Sequence, residues 1–149
     1  MSKLFSIYGL YFAWIVALVA TGGSLYFSEV RHFIPCDLCW FQRIFMYPLV
    51  ILLGIASYRG DRQISSYVLP LTIVGGFISL LHNLEEKVPG FSVPYLCKVS
   101  GTAAVSCTTP WINWLGFITI PLLALTAFTM ITIFLLFVRR SARDEDSEV

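Results

Sequence analysis

Charge is scarce in this chain. Asp, Glu, Lys and Arg make up 13% of its 149 residues, against 57% apolar, and the mean hydropathy is +0.77. A water-soluble domain of that length cannot hide so much apolar surface, so lipid must solvate part of it. The few charges nearly cancel, leaving a net +1. No basic stretch is interleaved with aromatics, which excludes nucleic-acid binding. Internal repeats and low-complexity segments are missing too, and nothing offers a binding motif for haem, flavin or an iron–sulfur cluster. Cysteine is sparse, with four in all, and their placement carries most of the functional argument.

Where charges do occur, they cut the chain into apolar runs. Leu4 to Ser28, Ile64 to Leu84 and Thr108 to Val138 carry no charge, and Trp40 to Tyr58 carries only Arg43. About 20 apolar residues in a helix cross the hydrocarbon core, and a lipid-facing backbone must satisfy its own hydrogen bonds. The chain therefore reads as an all-α integral membrane protein, a single four-helix bundle over residues 1–149. Its expected spans are about 7–28, 40–58, 64–84 and 111–138, with outer loops at 29–39 and 85–110 and a cytoplasmic tail at 139–149. A cleaved leader ending near Gly22 is the alternative for the first run. Its basic region is only Lys3 and its apolar stretch runs on to Phe27, too long for a leader, so an uncleaved helix is expected.

Lys and Arg favour an orientation with both termini in the cytoplasm. That topology places Lys3, Arg59, Arg62, Arg139, Arg140 and Arg143 inside, against Arg31, Arg43, Lys87 and Lys98 outside or just within the membrane. Arg139-Arg140 reads as the stop of the last span, and the acidic segment Asp144 to Glu148 as a solvated, disordered end. Pro48, Pro70 and Pro121 lie in or near spans, where lipid-embedded helices tolerate them with a kink. Trp111 and Trp114 open the last span at interfacial depth.

Cys36, Cys39, Cys97 and Cys107 all fall on the outer side of this topology, although the charge bias made no use of them. Outside the cytosol disulfides persist. Cys36-Asp37-Leu38-Cys39 is a C-x-x-C at the head of the second span, a spacing that brings two sulfurs within bonding reach in one helical turn. Free N–H groups and the helix dipole stabilise a thiolate there, and a thiolate is both the attacking and the leaving species in disulfide exchange. In a helix starting at Cys36, the residues Cys39, Trp40, Arg43 and Tyr47 share a face. Arg43 lies roughly 6 Å deeper than Cys39. An arginine deep in a span costs roughly 2.5–3.5 kcal/mol, less near the interface. It reads either as a snorkelling headgroup contact or as a fixed cation beside a thiolate or an electron-accepting carbonyl.

Two plainer uses of the cysteines compete. A structural zinc site is disfavoured by the nine residues between Cys97 and Cys107 and by His82 being a lone histidine ligand. Static staples are the other. Closing the Cys97–Cys107 loop contributes at most roughly 3 kcal/mol, and the small, polar residues between them offer no apolar packing around the bond. An exchangeable disulfide fits better. Two disulfides on one membrane face suggest a relay, and a relay needs a final acceptor for two electrons. A lipid-soluble quinone is the natural candidate, since the C-x-x-C helix begins at headgroup depth.

Cys36-Asp37-Leu38-Cys39-Trp40-Phe41-Gln42-Arg43 at the head of the second of four spans, with a second cysteine pair before the fourth, resembles the DsbB/BdbC family of membrane disulfide bond formation proteins. The closer likeness is to the BdbC branch, in Tyr26 to Glu29, Pro35-Cys36, Gln42 to Ile44, Met46 to Leu49, Ile112 to Trp114 and Phe117 to Pro121. The resemblance covers nearly all the chain except its charged tail. It implies a thiol:quinone oxidoreductase that reoxidises an extracytoplasmic thioredoxin-fold thiol oxidase, DsbA- or BdbD-like, and passes electrons to menaquinone or ubiquinone. By position it implies that Cys97 forms the mixed disulfide with the partner and that Cys107 exchanges with Cys36. Cys39 becomes the thiolate facing the quinone, with Arg43 beside the ring, and His82 matches a quinone-site histidine. The segment between Cys97 and Cys107 is much shorter than in DsbB itself, as in the Gram-positive branch. A vitamin K epoxide reductase-like enzyme also combines a four-helix core with these cysteine types, but there the loop pair precedes the C-x-x-C. A four-span adaptor with two static disulfides is the reading of a different class. Mild reduction separates it from a relay, which cycles its thiols without unfolding.

Overall fold

The computed structural model describes residues 2–33, 35–88 and 119–146, without the side chains of 2–7 and 144–146. Four long helices account for nearly all of them. They are α1 (Ser2–Leu25), which runs on into a π-helical turn at Tyr26–Val30, α2 (Asp37–Arg59), α3 (Ile64–Lys87) and α4 (Ile120–Asp146). No strand occurs among the described residues. Each helix is long and apolar enough to cross a membrane, which makes this a multi-pass membrane protein. The expected start of the fourth span at residue 111 lies outside the described residues, as do Cys97, Cys107, Trp111 and Trp114.

Helix boundaries follow local chemistry. Gly60 ends α2 in the left-handed region at φ 65°, where a side chain would be strained, and its N–H donates to the Ala56 carbonyl. The Asp61 side chain then accepts from the Gln63 N–H at 2.9 Å, closing the tight turn into α3. At the other terminus the helix does not stop at Arg139-Arg140 but continues to Asp146. The expectation of disorder therefore fails for residues 144–146. A double arginine ends a membrane span, not a helix: Arg and Ala are strong helix formers, and extending an existing helix carries no nucleation cost.

Specific contacts show that the helices alternate in direction. Early α2 meets late α1 through Arg43 and Ser24, late α3 meets early α2 through His82 and Cys36, and late α4 meets early α1 through Val138 and Gly9. α1 packs on α2 and α4, and α3 on the same two, so the bundle is a four-membered ring of neighbours. Leu10, Leu49, Leu53, Val68, Phe128, Ile131 and Leu135 fill its centre. The rings of Tyr58, Tyr67 and Phe137 face outward, as lipid contact permits. Two small residues set close approaches. A Cβ on Gly75 would lie 2.4 Å from the Phe128 ring, and Gly54 leaves room for the Trp14 indole, whose N–H donates to the Val50 carbonyl at 3.0 Å. The ends of α1 and α3 and the start of α2 thereby gather at one end of the bundle, where the site lies.

Candidate redox site

The C-x-x-C pair sits at the first turn of α2. Cys36 is the N-cap residue, in extended backbone, with its carbonyl accepting the Trp40 N–H at 3.1 Å. That places Cys39 one turn in, on the adjoining helix face, and brings the two sulfurs to a 3.2 Å hydrogen bond. Cys36 is buried and packs with Leu38 and Ile78, while Cys39 is partly exposed. The two thiols therefore face different surroundings although only two residues separate them.

Behind Cys36 stands His82, from the last turns of α3. Its Nε2 lies 3.6 Å from the Cys36 sulfur, and its Nδ1 lies 3.1 Å from the amide nitrogen of Gln42. His82 and Gln42 are both buried. With the Gln42 N–H donating to Nδ1, the ring proton resides on Nε2 and points at Cys36. The Cys36 thiol, just outside the span, is held well below the ordinary thiol range. The hydrogen bond with Cys39 contributes most; burial opposes it, and the hydrogen bond with His82 reinforces it.

In front of Cys39 opens an apolar cavity of about 500 Å³ between α1, α2 and α4. Cys39, Gln42, Arg43, Met46 and Tyr47 present one helical face to it, at three- and four-residue steps. Phe27, Ser28 and Phe33 also line it. Trp40, expected on the same face, is instead exposed beside it, its ring 5.6 Å from the Arg43 guanidinium. Arg43 does not snorkel freely. It donates to the Ser24 carbonyl at 3.1 Å and to the Ser28 hydroxyl, both at the end of α1 that passes into the π turn. Irregular turns of that kind recur at functional sites because they re-aim backbone and side chains within a helix.

Of the site residues expected from sequence, the structure gathers Cys36, Cys39, Arg43 and His82 at one end of the bundle. Cys97 and Cys107 lie outside the described residues. His82 contacts Cys36 and Gln42 and is not in the cavity wall, where the family resemblance would put it. Two further residues belong to the site, Gln42 and Ser28. Gln42 carried a legible signal, being a polar residue in a span one helical turn beyond Cys39. Ser28 lies in the BdbC-like stretch Tyr26 to Glu29 but carried no chemical signal of its own, because a serine in a membrane helix can satisfy itself on its own backbone.

The chain is similar to known proteins along most of its length. The family model described as "Disulfide bond formation protein DsbB" matches residues 7–138. "Disulfide bond formation protein C" of Bacillus subtilis is 59% identical over 130 residues, covering 87% of this chain and 91% of that protein. A "Probable disulfide formation protein" of Coxiella burnetii is 47% identical over 138 residues, 91% of this chain and 90% of its own. "Probable disulfide formation protein C 1" of Bacillus anthracis is 51% identical over 119 residues, 78% of this chain and 81% of that one. No solved structure matches the chain.

Proposed function

The chain belongs to the DsbB family of membrane disulfide bond formation proteins, and from that premise we propose that it is a thiol:quinone oxidoreductase serving an extracytoplasmic thioredoxin-fold oxidase. The observation that carries this reading is the division of the C-x-x-C pair: Cys39 faces an apolar cavity containing a fixed cation, and Cys36 faces a histidine. A static staple has no use for either. The cavity suits a quinone in its size, its apolar walls and its single guanidinium, and pockets of roughly 300–1,000 Å³ hold molecules of that class. A quinone bound there supplies a sink for two electrons and two protons. Arg43 and Cys39 would hold its ring, with Met46 and Tyr47 lining the deeper wall.

The protein's own residues divide the work as follows. A partner thiolate attacks the Cys97–Cys107 disulfide at Cys97, releasing Cys107 as a thiolate. Cys107 attacks Cys36, and Cys39 leaves as the thiolate facing the cavity. The partner's second thiol displaces Cys97, so the partner departs oxidised. Cys97 then attacks Cys107, restoring their bond and leaving Cys36 as a thiolate. His82 receives that charge by pointing its Nε2–H at the sulfur, and Gln42 keeps the ring in place. Cys36 and Cys39 now hold the two electrons from the partner dithiol, whose two protons were released as its thiols attacked. The electrons, with two protons, would pass to a quinone bound beside Cys39 as the Cys36–Cys39 bond closes. Both termini on the cytoplasmic side put these thiols where disulfides persist.

Alkylation of thiols in intact membranes tests the reading. With partner dithiol in excess and quinone withheld, Cys36 and Cys39 should become alkylatable. Added quinone should protect them within a turnover. Protection that is indifferent to quinone would return the pair to a structural role.

A further inference from the structure

Cys36, Cys39 and His82 each offer one ligand atom, and the three atoms lie within 4.8 Å of one another. Viewed along the sequence, His82 stands far from the cysteines and is a poor zinc ligand; the fold removes that objection. We propose that the dithiol form of this site is a binding site for a thiophilic divalent cation of the Zn²⁺ class, and that the bound ion arrests the protein in its reduced state. The proposal goes beyond the relay and needs from it only that the pair passes through a dithiol.

Tetrahedral Zn²⁺ with bonds of about 2.3 Å to sulfur and 2.0–2.1 Å to nitrogen sets its sulfur and nitrogen ligands about 3.6 Å apart and its two sulfurs about 3.8 Å apart. Cys36 Sγ and His82 Nε2 are 3.6 Å apart, and the two sulfurs are 3.2 Å apart. Binding therefore asks the Cys39 sulfur to move away from Cys36 and to come from within 4.8 Å of its partners to about 3.6 Å of Nε2. Two soft thiolates and an imidazole select Zn²⁺, Cd²⁺ or Co²⁺ over hard cations. Their two negative charges neutralise the ion in a buried setting. Ligating through Nε2 requires the ring proton on Nδ1, and Gln42 can accept it there by turning its amide over, which makes it the outer partner that metal-binding histidines need. Cys39 borders the cavity, so a fourth position has room for water. Binding exchanges two thiol protons for one cation. No electrons move, and with both sulfurs held as metal ligands the disulfide cannot close.

The test uses Co²⁺, then Zn²⁺, on the full chain in detergent, anaerobically reduced and freed of reductant. A Cys97→Ser/Cys107→Ser background confines thiolate binding to one pair. One Co²⁺ should bind per chain with the visible bands of a four-coordinate thiolate site, be displaced by Zn²⁺, and fail to bind once Cys36 and Cys39 are oxidised. Loss of an outer partner alone costs metal sites about 10–100-fold in affinity, so His82→Ala should lose at least about tenfold. His82→Gln, closer in size, should do likewise and guards against misfolding of the first variant. Absence of Co²⁺ uptake by the reduced, folded protein would overturn the proposal, as would uptake that both His82 variants leave unchanged. Metal-free turnover of the unmodified chain keeps the two readings apart. Turnover without metal binding sinks only the metal site, and metal binding without turnover sinks only the relay.

Discussion

At the scale of single residues, Arg43 carries the most testable chemistry. Its guanidinium is tied to the Ser24 carbonyl and the Ser28 hydroxyl, and so stands at the cavity wall in a fixed pose. If it holds the quinone, Arg43→Ala should raise the quinone KM strongly and the KM for the dithiol partner little. Hydrogen bonds to a charged group contribute about 1.5–3 kcal/mol, which is about ten- to a hundredfold in affinity. Arg43→Lys should recover only part, because an ammonium lacks the planar fork. Ser28→Ala should move the same constant in the same direction by less, since the Ser24 carbonyl still anchors the side chain. An unchanged quinone KM in correctly inserted Arg43→Ala would leave Arg43 a headgroup contact. The arginine was legible in the sequence because a charge in a span is costly and asks for a reason. The contact of His82 with Cys36 was not legible, since they are 46 positions apart and only the antiparallel packing of α2 and α3 joins them.

At the scale of helices, the apolar runs between charges foretold four helices long and apolar enough to cross a membrane, because membrane insertion and helix formation obey the same residues there. Beyond the bilayer the two part company. Arg139-Arg140 reads in sequence as a lipid boundary, yet α4 runs on to Asp146. The π turn at Tyr26–Val30 left no mark either, although it shapes the wall that holds Arg43. Packing between α3 and α4 depends on Gly75, over which the Phe128 ring lies closer than any Cβ allows. Gly75→Ala should therefore overpack the interface and destabilise the bundle by about 1–3 kcal/mol. Combined with Phe128→Ala, the same change should cost much less, the signature of direct coupling. Thermal unfolding in detergent across the four proteins of this cycle measures it. Additive losses would mean that the two residues do not compete for one space.

At the scale of the whole molecule, alternating helices bring the end of α1, the start of α2 and the end of α3 to one pole. Thiols, histidine and arginine meet there, and the basic residues Arg59, Arg62, Arg139 and Arg140 lie at the other. The proposed entry point, Cys97, lies outside the described residues, in the stretch of sequence between α3 and α4. In Cys107→Ser, a thioredoxin-fold partner carrying only its attacking cysteine, activated as a mixed disulfide with a small aromatic thiol, should form a reducible adduct at Cys97 with release of that small thiol. The adduct should accumulate because neither Cys107 nor a second partner thiol is left to attack it. Non-reducing gels with the partner in excess would reveal it. Absence of the adduct would count against Cys97 as the residue that meets the partner.

The central claim is that electrons leave the protein through Cys39 into the apolar cavity. The most direct measurement is quinone reduction driven by a dithiol partner, followed in membranes carrying either the unmodified chain or Cys39→Ser at equal insertion. The account predicts steady quinone reduction by the first and none above background by the second. Turnover by Cys39→Ser near that of the unmodified chain would contradict it.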